Sequence, residues 1–332
     1  MKNLRLNLLL LVLLVSLTIS CTRESYTDSK PGSHGRISEV LVVMDQTFWK
    51  GSLGDTVRAI FAQYYPYLNQ AEPWFSIIHR TPGEFDNTYS IFRNILYFVH
   101  EPELSGGTIH QEADFWAIPQ TVIQIEGPDY DALHGLFVRN QDAILQAFDR
   151  SEVRRLRRVM NSINRHATSD RITERLDLSI SVPTGYYLAV EDDNFVWARK
   201  VIRARTQEQA YWITTIPYTD TSQFQPQRVM ALRDSVTRAR IPVQDESSYM
   251  GTEYRFGYQT RIIDVNGAYA LETRGFWRTF GNFSMGGPFL NFLIHDEKRD
   301  RLIMIDTYVF RPNENKRDLV RQLEGIVHTL KL

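Results

Sequence analysis

The stretch EYRFGYQTRIIDVNGAYALETRGFWRT, residues 253–279, determines the architecture of the second half of this chain. Two runs rich in β-branched and aromatic residues, 253–264 and 268–279, flank the dipeptide Asn266-Gly267. Asn-Gly between two such runs is the strongest short signal for a two-residue hairpin, because both residues tolerate positive φ. The stretch therefore predicts two long antiparallel strands.

Further strand-like runs surround this hairpin, and helical runs punctuate them. The strand-like runs are 178–182, 186–190, 195–202, 211–216, 289–294 and 302–310. Residues 225–240 repeat apolar positions at helical spacing, and Asn313 is placed to cap a last amphipathic helix. Strands punctuated by helices predict an α+β fold, with antiparallel sheets and helices packed on them.

The first half of the chain alternates strands and helices. Residues 37–44 form a continuous apolar run that is typical of a buried strand, and 52–64 show helical spacing. Three more strand-like runs and two amphipathic helices follow at 74–79, 94–100, 121–125, 130–148 and 152–166. The polar stretch 167–175 lacks clear periodicity, and we place the boundary between the two halves there. We therefore predict two similar-sized halves, an N-terminal α/β half at 37–168 and a C-terminal α+β sandwich half at 176–332.

The N-terminus has the pattern of a bacterial lipoprotein signal. Lys2 and Arg5 precede a short apolar run, which ends in Ser20 and Cys21. The pattern predicts a signal peptide at 1–20, cleavage between Ser20 and Cys21, and lipidation of Cys21, for example by palmitate. The competing interpretation is a plain cleaved signal peptide. The polar residues that follow include Pro31, Gly32 and Gly35 and show no hydrophobic period, so that 21–36 is expected to be a flexible tether.

Composition narrows the classes of function. The 38 basic and 39 acidic residues give a formal net charge of −1, whereas a nucleic-acid-binding protein normally has a basic balance. Cys21 is the single cysteine, so no disulfide can form within the chain. We expect a membrane attachment through lipid on Cys21, an envelope protein or polymer as partner, and no nucleic acid.

Motifs for catalysis, metal binding or nucleotide binding are weak. Residues 282–286 approach a nucleophile elbow around Ser284, but Asn282 stands where that sharp turn needs a small residue. The eight histidines are dispersed and lack metal-ligand spacing. Acids such as Glu272 cannot be assigned to a glycosidase pair from sequence, because their separation in space is unknown. We predict no catalytic residue, no metal site and no cofactor.

Four polar or aromatic residues beside strand ends are the candidate ligand-binding residues. These are Trp49, Lys50, Arg93 and Asn94. The guanidinium group of Arg93 could bind an anionic group with two parallel hydrogen bonds. The alternative is a structural role, in which these side chains tie a loop to carbonyl groups at a helix end.

Several segments together carry a resemblance to a known family. They are 39–43, 49–51, 54–55, 70–73, 93–95, 275–277 and 285–289. With the lipoprotein signal, this set resembles a family of uncharacterised envelope lipoproteins of Bacteroidota, a domain of unknown function. Residues 176–332 also resemble PsbP-type α/β/α sandwich domains, through Val182-Pro183-Thr184-Gly185-Tyr186, a middle helix, and a terminal hairpin and helix. The second resemblance implies an accessory or binding module.

The sequence favours a cell-envelope lipoprotein that is a non-enzymatic binding or accessory subunit, lipid-anchored on the periplasmic face of the outer membrane. The alternative is a hydrolase acting on envelope glycan or peptide, with a site too dispersed to recognise in sequence. Carriage of a lipid or another hydrophobic ligand is a third interpretation. A pocket with convergent acids would favour the hydrolase, and an aromatic patch would favour binding.

Overall fold

The computed structural model describes residues 30–162, 167–243 and 247–332. Residues Gly32–Leu332 form one compact unit. The predicted signal peptide 1–20, Cys21 and most of the predicted tether lie outside the described residues. The end of that tether is bound to the compact unit, since the amide of Ser33 donates to the carbonyl of Ile118 at 3.1 Å.

Seven α-helices and thirteen strands lie within the described ranges. The helices are α1 (Gln46–Lys50), α2 (Ser52–Phe61), α3 (Asn87–Ser90), α4 (Tyr130–Ser162), α5 (Ala167–Leu176), α6 (Pro226–Arg240) and α7 (Arg317–Val327). The first strands are β1 (Glu39–Val43), β2 (Ser76–Arg80), β3 (Asn94–His100), β4 (Thr108–Ala113), β5 (Thr121–Gly127) and β6 (Tyr187–Asp192). The remaining strands are β7 (Phe195–Ile202), β8 (Gln207–Pro217), β9 (Tyr249–Thr252), β10 (Tyr258–Val265), β11 (Ala268–Phe280), β12 (Gly286–Asp296) and β13 (Arg301–Phe310).

The smaller sheet has five strands in the order β2-β1-β3-β5-β4. Strand β1 pairs in parallel with β2 and β3, and β3 pairs in parallel with β5. Only the edge strand β4 is antiparallel to its neighbour in this sheet. The expectation of antiparallel pairing is therefore wrong here, because helical connections from β1 to β2 and from β2 to β3 return the chain in the same direction.

The larger sheet has eight strands and is antiparallel. Its order is β10-β11-β12-β13-β8-β7-β6, and β9 pairs with the far end of β11. Strands β10 and β11 form the predicted hairpin, with Val265 opposite Ala268 and positive φ at both Asn266 and Gly267. The predicted α+β class, with helices packed on antiparallel sheet, is confirmed.

Helices cover both faces of the larger sheet. On one face, α7 packs Leu323 and Ile326 against buried strand residues such as Phe292. On the other face, α6 packs Val229 and Met230 into a second core. A third core joins α2 and the first part of α4 to the smaller sheet.

Helix α4 is one continuous helix of 33 residues, where the sequence predicted two. Two of the three polar residues between the predicted helices are buried and paired: Asp149 binds Arg321, and the hydroxyl of Ser151 lies 2.6 Å from that of Thr121. Helix α5 occupies the polar stretch in which no helix was expected. The division into halves at 37–168 and 176–332 stays a prediction. Among the described helices, none combines the length and the apolar character needed to span a bilayer.

Candidate functional site

The predicted binding residues Trp49 and Lys50 lie at the carboxyl edge of the smaller sheet. The Trp49 ring stacks on the ring of His79, with centroids 4.4 Å apart, and the guanidinium of Arg58 lies 4.4 Å from the centroid of the same indole. Burial lowers the pKa of His79, which favours its neutral form in this stack. Lys50 is exposed.

The other predicted pair, Arg93 and Asn94, lies at the opposite, amino edge of the same sheet. The Asn94 amide donates to the carbonyl of Glu39 and to the Glu152 carboxylate, both at 2.8 Å. Arg93 lies 3.4 Å from Glu152, and its carbonyl accepts from Arg155 at 2.7 Å. These contacts join β3 to side chains within α4, and no contact to carbonyl groups at a helix end is among them. The structure does not bring the two pairs together, and ligand binding by the four residues stays a prediction.

A cleft of about 710 Å³ lies between α4 and β10. One wall is the face of α4 from Asp142 to Arg154, and the other is formed by residues 261–264 of β10. Between the walls, Gln63, Trp74, Glu272, Glu324 and His328 form the base. This set of residues, here called the cleft, combines elements that are far apart in the sequence.

Charged groups beneath the cleft form a buried ion network, here called the floor network. Arg274 binds the carboxylate of Glu272 and, at 2.8 Å, that of Glu324. Its third contact is a hydrogen bond of 2.7 Å to the hydroxyl oxygen of Tyr65. Arg261 adds a second cation, 2.8 Å from Glu272 and 3.7 Å from Glu324. Both carboxylates are therefore shared between two arginines.

A second buried arginine, Arg321 of α7, lies next to the floor network. One guanidinium nitrogen donates to Asp149 of α4 at 2.7 Å, and its Nε and Nη2 have no hydrogen-bond partner among the described residues. The guanidinium carbon lies 4.8 Å from the ring centroid of Tyr65, 5.7 Å from that of Trp74 and 5.5 Å from that of Phe75. Asp149 and these rings together hold the cation.

The electrostatics favour the ionised form of Glu272 in the floor network. Burial acts to raise the pKa of Glu272, but the charges of Arg274 and Arg261 and their hydrogen bonds outweigh it, so that the pKa lies below its ordinary value. Burial raises the pKa of Tyr65 to about 12 and lowers the pKa of His328. At neutral pH the base of the cleft thus presents the Glu272 carboxylate as an anion and the His328 imidazole in its neutral form, and the phenol of Tyr65 in the floor network is neutral.

This arrangement is suited to holding a polar ligand. A general acid needs a carboxyl group whose pKa is raised towards neutrality, as in a hydrophobic pocket. Glu272 is shifted in the opposite direction. No group of three or more His, Cys, Asp or Glu side chains in residues 30–162, 167–243 and 247–332 is arranged to hold a metal ion.

Sequence reasoning named Glu272 as a scattered acid and missed the other members of the floor network. One signal was present: Glu272 and Arg274 interrupt a strand whose neighbouring residues, such as Leu271 and Thr273, are buried. Charged residues in a buried strand have to be paired. The partner Glu324 could not be identified without the fold.

Two family models match this chain. Residues 165–329 match a domain of unknown function (DUF4837), and residues 33–161 match another domain of unknown function (DUF8532). The cleft takes its α4 wall from the second of these segments and its β10 wall from the first. No curated protein matches the chain.

Some solved structures are distantly similar. A mutant of the protein Mog1 is 11% identical with a TM-score of 0.30, and the Ran-binding protein Mog1p of Saccharomyces cerevisiae is 10% identical with the same score. Each match covers 46% of this chain and 89% of the other. A fragment of a STAR-related lipid transfer protein from Xanthomonas axonopodis is 10% identical, with a TM-score of 0.23, 44% of this chain covered and 98% of the other. These likenesses carry no argument about function.

Proposed function

We propose that this chain is a lipid-anchored envelope protein whose folded unit is a binding or accessory subunit, with the cleft between α4 and β10 as its binding site. The observation that carries the binding function is the cleft itself, in which the carboxylates of Glu272 and Glu324 at the base are bound by Arg261 and Arg274. Attachment through Cys21, and a place on the periplasmic face of the outer membrane, are supported by the N-terminal sequence pattern. The proposed relation to Bacteroidota lipoproteins and to PsbP-type domains rests on the sequence segments given above.

The alternative hydrolase function has one feature in its favour and one against it. Three carboxylates, those of Asp149, Glu272 and Glu324, converge at the cleft, as a hydrolase would need. Each of the three is bound by an arginine. Glu272, whose pKa the charges of Arg274 and Arg261 hold below its ordinary value, is a poor proton donor. The geometry therefore supports binding better than hydrolysis.

Site-specific photocrosslinking in cells tests the binding function. A photoreactive residue replaces Gln146, which is exposed and lies on the α4 wall. The control is the same replacement at Asp193, an exposed residue in the turn between β6 and β7, distant in sequence from both walls. We expect a discrete crosslinked product from position 146 and none from position 193. Equal products at both positions, or none at 146, would contradict the proposal.

Metabolic labelling with palmitate tests the anchor separately. The wild-type chain should incorporate label and sediment with membranes. The variant Cys21→Ala should do neither, because it lacks the thiol on which the lipid is built. Labelling of the variant would show that Cys21 is not the attachment point.

A further inference from the structure

Strand β10 has an open edge that borders the cleft. It lies at the end of the larger sheet, and among the described strands it pairs only with β11, over Tyr258–Val265. Within the described residues, no backbone hydrogen bond reaches β10 from its other side. Its side chain Ile262 is 68% exposed. Long edge strands are normally covered or protected, because their unpaired backbone groups can pair with another chain.

The hairpin turn determines which backbone groups of β10 are unpaired. Asn266 and Gly267 have φ of 55° and 91°, as in a type I′ turn, and this turn makes Val265 and Ala268 a hydrogen-bonded pair. Hydrogen-bonded and non-hydrogen-bonded pairs alternate along an antiparallel ladder. Ile262 and Asp264 therefore direct their N–H and C=O groups away from β11.

These unpaired groups face the cleft. The cleft touches four consecutive residues, 261–264. Successive side chains of a strand point to opposite faces, so a cavity that touches four in a row lies against the strand edge. An extended residue in a sheet layer fills on the order of 160 Å³, from a rise of ~3.3 Å, a strand spacing of ~4.8 Å and a layer spacing of ~10 Å. The 710 Å³ of the cleft would hold about four such residues.

Charges on the α4 wall indicate the composition of such a segment. Asp142 and Arg150 are exposed and have no ion-pair or hydrogen-bond partner within the described residues. Eight residues of helix separate them by ~12 Å, which is the length of about four residues of strand. Two strand side chains that are four residues apart point to the same face of the strand. Leu145 and Trp74 line the cleft beside the strand position midway between those that would face Asp142 and Arg150.

We propose that the cleft binds an extended peptide segment of a partner protein, which adds to β10 as a further strand. The segment carries a basic side chain opposite Asp142, an apolar side chain near Leu145, and an acidic side chain opposite Arg150, at alternate positions. Backbone pairing with Ile262 and Asp264 supplies affinity, and the alternate side chains supply specificity. This inference rests on the proposed binding function and names the class of ligand.

A displayed library of random seven-residue peptides, screened against the full chain, is the first test. We expect enrichment of sequences in which a basic, an apolar and an acidic residue alternate. The variant Ile262→Pro removes one outward N–H group and no ladder bond, since proline is tolerated at such edge positions. It should bind the enriched peptides roughly fivefold to tenfold more weakly, the effect of one lost hydrogen bond. The matched control Thr260→Pro alters an outward group outside the cleft and should bind within about twofold of wild type.

Hydrogen exchange supplies the readout specific to strand addition. Bound peptide should slow exchange at the amides of Ile262 and Asp264, while Arg261 and Ile263, already paired with β11, change little. The surface variant Asp142→Lys should prefer peptides with an acidic residue in place of the basic one, which tests the charge assignment without altering β10. The proposal would be overturned if Ile262→Pro bound the enriched peptides as tightly as wild type does. It would also be overturned if bound peptide did not slow hydrogen exchange at the amides of Ile262 and Asp264. If position 146 still crosslinks to one product in that case, the cleft binds its partner by another mode. If neither experiment gives a signal, the proposed binding function fails as well.

Discussion

The buried pair of Arg321 and Asp149 leads to a quantitative prediction about stability. The Arg321 side chain has no solvent exposure, and Asp149, the acid that pairs with it, is 13% exposed at its side chain. The variant Asp149→Asn keeps the shape of the site and removes the negative charge. Removing one partner of a buried ion pair costs about 3–5 kcal/mol of the free energy of unfolding, because the remaining charge is uncompensated.

Two features of the structure place the expected loss at the lower end of that range. Asp149 retains some contact with solvent, and the rings of Tyr65, Trp74 and Phe75 still face the cation. We therefore expect a loss of about 3 kcal/mol. The entropy of unfolding for a folded unit of this size is ~0.6 kcal/mol/K, so that Tm should fall by about 5 °C.

Urea unfolding at pH 7, followed by circular dichroism, measures this loss. The matched control is Asp142→Asn, an exposed residue on the same helix, which should change stability by less than about 0.5 kcal/mol. The double variant Asp149→Leu with Arg321→Met replaces the pair by apolar side chains and should be more stable than Asp149→Asn alone. A loss below about 1 kcal/mol for Asp149→Asn would refute the reasoning that Arg321 depends on this carboxylate.

Three further perturbations have defined outcomes. The folded-state pKa of Glu272 is below its ordinary value of 4.5, so its contribution to stability is complete above that value and is lost as pH falls through the folded pKa. Urea midpoints between pH 7 and about pH 3 should therefore fall more steeply for wild type than for Glu272→Gln. A Cβ at Gly325 would lie 2.6 Å from that of Leu156, so Gly325→Ala should destabilise the packing of α7 on α4 by about 1–3 kcal/mol. The control Gly135→Ala meets only the end of a flexible side chain, and should raise the free energy of unfolding by up to about 1 kcal/mol; equal effects of the two glycine variants would contradict the packing argument. Tyr65→Phe leaves a buried guanidinium hydrogen without its acceptor, and should cost about 1–3 kcal/mol in the same assay; an unchanged urea midpoint would show that this hydrogen bond is dispensable.

Local patterns in the sequence predicted much of the local structure. The hairpin at Asn266-Gly267 and the helix predicted at 225–240 both follow from neighbouring residues, and both are present. The α+β class follows from the same patterns. Patterns of this kind are reliable because turn chemistry and helical periodicity are encoded within a few residues.

Neither the pairing of the strands nor the cleft could be predicted from the sequence, because both depend on contacts between segments that are far apart along the chain. The apolar run of β1 indicates burial on both faces, but it does not specify that β2 and β3 are its parallel neighbours. Asp149 and Arg321 are separated by 172 positions in the sequence. Such contacts form only after both elements are placed, and they leave no periodic signal in either segment.

The length of α4 restricts how this protein could be divided or recombined. The segments matched by the two family models meet at 161–165, at the end of this helix. Yet α4 buries Phe137 and Phe148 in the core of the smaller sheet, and Met160 in a core shared with the larger one. A fragment that ended at residue 161 would carry away part of the hydrophobic surface on which the remainder depends. Either segment, moved alone into another chain, would therefore need a new apolar partner for the surface that it exposes. We therefore expect the two segments to be inherited together.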